Sequence, residues 1–463
     1  MERIIIVGAG PSGLFAAKTI LENSEDFSVT LFERGRPPDK RCCRSNCGSC
    51  CYCEVCDVLQ GAGGAGLFSD GKLVLDLSSG GRAKGVSSLS DRRKEVITQN
   101  IRETFEKFDG VSERKSKPDL QNQESIRNLF DTQNLSIKFY DVLHMGTNNL
   151  TSISKNFISY LQEKYPSRFS IQYETAVVNV TERGDRYAVS TVSEDCLADA
   201  VILAVGKNGA SWLKDILSPK GCTFEQNNYF FGVRLEMKSS AIRRLIDFSL
   251  DPKVFRIDNG RKVKLHCVCR KGKICFSNYE GSVIVGGHSP YTQYNQNPTD
   301  IENANFNVLL SFDKNIVSSK QILTAFKTIA PNQIVAQKLG DFIRNSETDE
   351  WGNIVPKEAT LPANIRKVMD ALDVQFAVIF IRFLQSLSKI CPDVLNDDNL
   401  IYAPAIEWDM DTIRVNEYME TDIKNIFAIG DGAGLSQGIV YSAATGIIAA
   451  ERLISNYYEE KHG

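Results

Sequence analysis

The chain has 463 residues, 42% of them hydrophobic and 24% charged, with a formal net charge of −3. That length supports two or three domains around sizeable cores, and the near-neutral charge argues against nucleic acid or an anionic membrane as an obligate partner. The start, MERIIIVGAG, lacks the apolar region and cleavage site of a signal peptide, and the late apolar run VQFAVIFIRFLQSL, interrupted by Arg382, is too short to span a bilayer and reads as a buried helix. A cytoplasmic protein is expected, a setting in which disulfides are rare.

The first element is an apolar, β-branched strand that runs into Gly8-x-Gly10-x-x-Gly13 and then an amphipathic helix opened by Pro11 and Ser12. Gly8 permits the tight turn, Gly10 lets a pyrophosphate approach the backbone, and Gly13 lets helix and strand pack closely. The helix N-terminus offers unpaired N–H groups and a positive dipole to phosphate. A second strand, VTLFERG, places Glu33 twenty residues after Gly13, where an acid bonds a ribose hydroxyl. Together these predict a Rossmann-like, dinucleotide-binding α/β unit.

Seven of the thirteen cysteines then fall within residues 42–56. Cys47, Cys50, Cys53 and Cys56 form C-x2-C-x2-C-x2-C, a spacing that suits three ligands of a [4Fe–4S] cluster, the fourth coming from the run itself or from Cys42 or Cys43. Zinc is the rival, although structural zinc usually joins two separated pairs, and free redox-active thiols are the third reading. Arg34, Arg36, Lys40, Arg41 and Arg44 surround the run. They serve either to offset thiolates or the pyrophosphate, or simply as a solvated basic loop. A glycine-rich loop, Gly61 to Gly71, follows, and its glycines let backbone pass close to a planar ring.

Residues 81–144 are polar with helical stretches, an expected insertion or lid. The segment FSIQYETAVVNVTERGDRYAVSTV alternates and turns at Gly184-Asp185, a hairpin pattern, and LADAVILAVGKNG is a buried strand ending at Gly206. Residues 211–399 carry the strands YFFGVRLEM, KLHCVCRKGKICFSNY and SVIVGGH and then helical runs, an expected mixed α+β substrate domain inserted into the first. Cys267, Cys269 and Cys275 in that region read as packing. Near the end, TDIKNIFAIGDGAGLSQGIVYSAATGIIAAERL is a strand, then Gly430-Asp431-Gly432, then a small-residue helix. The segments 1–80, 145–210 and 400–463 are expected to assemble the discontinuous nucleotide domain.

This ending resembles flavoproteins of the glutathione-reductase type. The resemblance implies FAD, with Asp431 on the ribityl chain, Gly430, Gly438 and Ile439 beside it at the helix start, and the Val177 backbone at the adenine. More narrowly, the chain resembles the uncharacterised FAD-dependent dehydrogenases through GAGGAGLFSDGKL (61–73), LHMGTNNL (143–150), FGVRLE (231–236), GGHSP (286–290), NANFNVLL (303–310), QKLGDF (337–342), YAPAIEW (402–408) and GDGAGLSQGI (430–439). By that resemblance the loop with Gly63 and Gly64 runs beside the isoalloxazine, with Ser69, Asp70 and Lys72 near its reactive face.

No second strand–GxGxxG–helix unit follows, so NAD(P)H, if used, binds in the substrate cleft; a ferredoxin-like donor is the alternative. Of the four histidines, His288 and His144 stand out as acid–base candidates, each with a structural role as its rival. Arg234 is a carboxylate anchor or an ion-pair partner, and Glu407 a substrate-orienting group or a buried partner. Two functions remain: an FAD-dependent oxidoreductase acting on a small organic molecule, and an electron-transfer module serving a protein partner. The long middle segment favours the enzyme.

Overall fold

The computed structural model describes residues 1–43, 53–69, 71–109, 115–116, 122–249, 251–288, 302–356, 360–407 and 409–462. Cys47, Cys50 and Asp70 lie outside the described residues.

Ile4, Ile5 and Ile6 are buried, as a central parallel strand with both faces covered requires. Their strand, Glu2–Val7, pairs in parallel with Phe27–Phe32 on one side and Ala200–Leu203 on the other. Ile426–Ala428 and Phe169–Gln172 extend the sheet, also in parallel, so the described residues form a five-stranded parallel sheet. The helix Pro11–Asn23 follows the first strand, and the last helix, Ile439–His462, packs against it. Their approach is close: a Cβ on Gly446 would lie 2.1 Å from Ser12 O. The hairpin Val177–Arg183 and Arg186–Thr191 turns where expected.

A second sheet forms the other domain. In spatial order its strands are Thr360–Pro362, Ile334–Lys338, Leu400–Glu407, Tyr229–Lys238, Asn303–Phe312, Arg261–Cys269, Lys253–Asp258 and Ser136–Lys138, antiparallel except for the first pair. Alternation along the strands sets its faces. Val263 and Leu265 enter a core with Phe231, Phe312, Phe376 and Phe380, the last two from the helix Phe376–Ser388, which is the apolar run read as a buried helix. Among the described residues, no helix is long and apolar enough to cross a membrane.

Two boundaries differ from the sequence expectation. Residues 81–144 are not one lid. The helix Asp91–Asp109 buries Ile97, Ile101 and Phe105 in the core of the parallel-sheet domain, while Ile126, Phe130 and Ile137 join the other core. The strand Leu400–Glu407 belongs to the second sheet, whereas the sequence expectation places residues from 400 onward in the nucleotide domain. Side-chain burial on a distant partner decides both placements, and local composition does not report it.

Candidate active site

A cleft of roughly 590 Å³ runs between the two sheets, within the usual range for small-molecule sites. Its first wall is the strand–helix turn. Gly8 has φ +108°, and a Cβ there would lie 2.3 Å from Ala204 O; a Cβ on Gly13 would lie 2.0 Å from Gly8 O. Packing alone therefore requires both glycines. Gly10 differs: its φ is −76°, and its Cβ would meet only Gly64 Cα, at 3.8 Å. The space above Gly10 opens into the cleft, at the N-terminus of a 13-residue helix. This is the cradle a pyrophosphate needs.

Glu33 faces the same cleft and is buried. Its Oε2 accepts the Ala9 N–H and its Oε1 the Gly35 N–H, both at 2.8 Å, which fixes the carboxylate at the end of its strand. Exposed Arg34, Val177 at the start of its hairpin and Gly206 also line the cleft.

The glycine loop is held by Arg41. This buried guanidinium donates to the carbonyls of Asp57, Val58, Gly61, Ala62 and Gly64, and stands 5.1 Å from the Phe68 ring centroid. Burial pulls it down to about 10, against the pull of Glu33 and Asp57. Arg41 is thus neither a solvated loop residue nor a phosphate ligand; it is a structural pin. Gly63 donates its N–H to Ala9 O at 2.8 Å and packs on Leu67 and Ser154, while Gly64 lines the cleft. Ser69 lines it too, its hydroxyl donating to Gly66 O at 2.7 Å.

Asp431, Gly438 and Ile439 close the far side of the cleft. Burial raises the Asp431 carboxyl to about 6, although Ser436 Oγ donates to Oδ1 at 2.6 Å and Lys207 also favours the ionised form. Gly430 lies behind it: its N–H donates to Thr445 Oγ1, and its Cβ would lie 2.6 Å from Ser12 Oγ.

The second sheet provides the remaining wall, through Lys138, Lys253, Lys262, Lys264 and His266. His266 meets Glu407 through Nδ1, and Lys264 Nζ donates to Glu407 Oε2 at 3.0 Å. Burial presses the His266 imidazole below its ordinary 6.5, with Glu407 opposing. Burial would raise Glu407, but His266 and Lys264 outweigh it and keep the carboxylate ionised. Immediately after His266, Cys267 has φ +56° at an irregularity in strand register, and its carbonyl accepts from Arg234. Arg234 is fully buried and bonds Asn305 and Asn307, so it braces the bulge and does not reach the cleft. Lys72 lines the cleft with its ammonium engaged by the Val268 carbonyl and, at 3.5 Å, by Asp251.

His144 is buried on the strand Val142–His144, opposite Lys72, and His288 ends the strand Ser282–His288 opposite Lys273; neither is among the residues lining the cleft. The cleft histidine is His266, whose signal was the alternation Lys262-x-Lys264-x-His266 within one strand. Of the cysteine run, Cys53 is exposed and Cys56 buried, and among the described residues no three His, Cys, Asp or Glu side chains group as metal ligands.

No family model matches the chain. A protein of Clostridium beijerinckii (strain ATCC 51743 / NCIMB 8052), described as "Uncharacterized protein", is 21% identical over 495 residues, spanning 98% of this chain and 81% of that one. Among solved structures the chain is similar to glycine oxidase from Geobacillus kaustophilus, with 10% identity, 98% of this chain and 95% of the other covered, and a TM-score of 0.43. It is also similar to L-amino acid deaminase from Proteus vulgaris, with 9% identity, coverage of 98% and 94%, and a TM-score of 0.42. For CtdE in complex with FAD the values are 12%, 99% and 91%, and 0.37. All three TM-scores are below 0.5.

Proposed function

We propose that the protein is an FAD-dependent oxidoreductase acting on a small organic molecule held between the two sheets. The observation that carries this is the open cradle at Gly10, in one cleft with Glu33 at one strand end and Asp431 at another. The helix N-terminus at Pro11 and Ser12 would receive the pyrophosphate, Glu33 a ribose hydroxyl and Asp431 a ribityl hydroxyl. FAD, when bound, supplies the acceptor or donor of a hydride.

The chain's own residues orient and deprotonate. His266 is neutral near pH 7, and Glu407 occupies the side of its Nδ1, so Nε2 is the nitrogen able to take a substrate proton. Lys264 keeps Glu407 ionised and thereby holds the imidazole tautomer with its proton on Nδ1. The cleft continues past the FAD-contacting residues to a second sheet with its own histidine and lysines, which favours a substrate enzyme over an electron carrier. No step depends on the cysteine run.

Purified protein is expected to be yellow, or to become so when FAD is added. Gly10→Trp fills the cradle and should remove most of the bound flavin absorbance. A colourless wild-type protein that takes up no FAD would overturn the proposal.

A further inference from the structure

The wall formed by the second sheet has a charge pattern that the reaction alone does not require. Lys253 lies directly opposite Lys138 in the antiparallel register, and Lys262 and Lys264 stand two residues apart on the next strand, on the same face. All four line the cleft. Two carboxylates answer them. Asp251 pairs with Lys253 at 2.8 Å and is shared with Lys72, and Glu407 pairs with Lys264. Among the described residues, Lys138 and Lys262 have no acidic partner. The Lys262 ammonium instead stands 4.3 Å from the centroid of the Phe255 ring. Burial, Lys264 and Lys138 all work against its charge.

Like charges placed opposite each other in a sheet are destabilising. Lys138 is exposed, but Lys253, Lys262 and Lys264 are half-buried, where water screens less. With Lys72 counted, five ammonium groups face two carboxylates, and such an excess of cations favours a bound anion. The cofactor's phosphates do not answer this need, because their cradle is the helix N-terminus on the other sheet.

We infer that Lys138 and Lys262, with Lys253 and Lys264 beside them, bind a small organic dianion, a dicarboxylate or a phosphate ester, as the charged end of the substrate. His266 follows Lys264 by two residues on the same strand face, so the charged end is gripped next to the group that would take the proton. This substrate class rests on the oxidoreductase reading, but the lysine site is tested separately from it.

The test is calorimetric titration of the protein as purified, in a buffer free of phosphate, with succinate, inorganic phosphate and neutral succinamide. Thermal unfolding is measured on the same samples. One of the two dianions should bind, more weakly as salt rises, and should raise the unfolding temperature; succinamide should do neither. Which dianion binds separates a carboxylate substrate from a phosphorylated one. The double variant Lys138→Gln/Lys262→Gln should bind it at least about tenfold more weakly, with its FAD content unchanged. Without anion it should unfold at a temperature equal to or above that of wild type, because repulsion has been removed. Three results would overturn the inference: no binding of either dianion to wild type, equal binding by the variant, or loss of FAD from the variant. FAD content is read by absorbance throughout. A protein that takes up no added FAD yet still binds a dianion through these lysines would refute the oxidoreductase reading and leave the lysine site standing.

Discussion

Arg41 Nη1 donates to Gly64 O at 2.8 Å, so the residue that enters the cysteine run also positions the glycine facing Gly10 across the cradle. The two lie 23 residues apart, and Arg41 ties the ends of that loop through several further carbonyls.

Replacing Arg41 by Met should leave those buried carbonyls without a donor and cost on the order of 3 kcal/mol of stability. FAD affinity should fall with it, because Gly64 is no longer fixed. Lys at this position should recover little, since one ammonium cannot reach carbonyls spread around a planar fork. Denaturant unfolding with and without FAD measures both effects.

The glycines of the turn should separate stability from binding. Gly13→Ala places a Cβ 2.0 Å from Gly8 O, so the helix must move from the strand, at a cost of about 1–3 kcal/mol. Gly10→Ala meets nothing closer than 3.8 Å and should fold as wild type does, yet hold FAD more weakly. An unfolding midpoint and a flavin titration on each variant distinguish the roles.

His266 should give a pH signature. Its imidazole protonates below 6.5 in the folded protein, so the folded state binds fewer protons than the unfolded chain just under that pH. Its contribution to stability is therefore present above 6.5 and is lost as pH falls from 6.5 through the lower folded value. NMR titration of the imidazole should show protonation below 6.5, and Glu407→Gln should lower it further, because the carboxylate is what favours the charged form. With a substrate in hand, His266→Ala should reduce turnover by about 10²–10⁴-fold while retaining FAD.

Asp431 should act in the opposite sense. Its carboxyl is raised from 3.8 to about 6 in the fold, so the folded state holds the proton more tightly. Stability of the FAD-free protein should decline as pH rises between these values, by on the order of 3 kcal/mol. Asp431→Asn should remove that slope. If a ribityl hydroxyl donates to the carboxylate, FAD should bind more tightly as pH rises through about 6. Unfolding and flavin titrations from pH 4 to pH 8 read both.

The sequence by itself determined the features that depend on neighbours along the chain. The strand, the three glycines, the helix and Glu33 follow from local spacing, as do the hairpin at Gly184 and the buried helix Phe376–Ser388. Alternation in RKVKLHCVC already put Lys262, Lys264 and His266 on one face. Only the tertiary structure decided which face looks into the cleft. That depended on which side the Phe376–Ser388 helix covers, and on Glu407 arriving 143 residues after Lys264. The same holds for Arg41, which reads as one cation among several until Gly61, Ala62 and Gly64 fold over it. It holds too for His144 and His288, whose motifs are distinctive although neither is among the residues that line the cleft. Periodicity is a property of the backbone and is visible in one dimension; burial and partnership belong to segments that meet only when the chain folds.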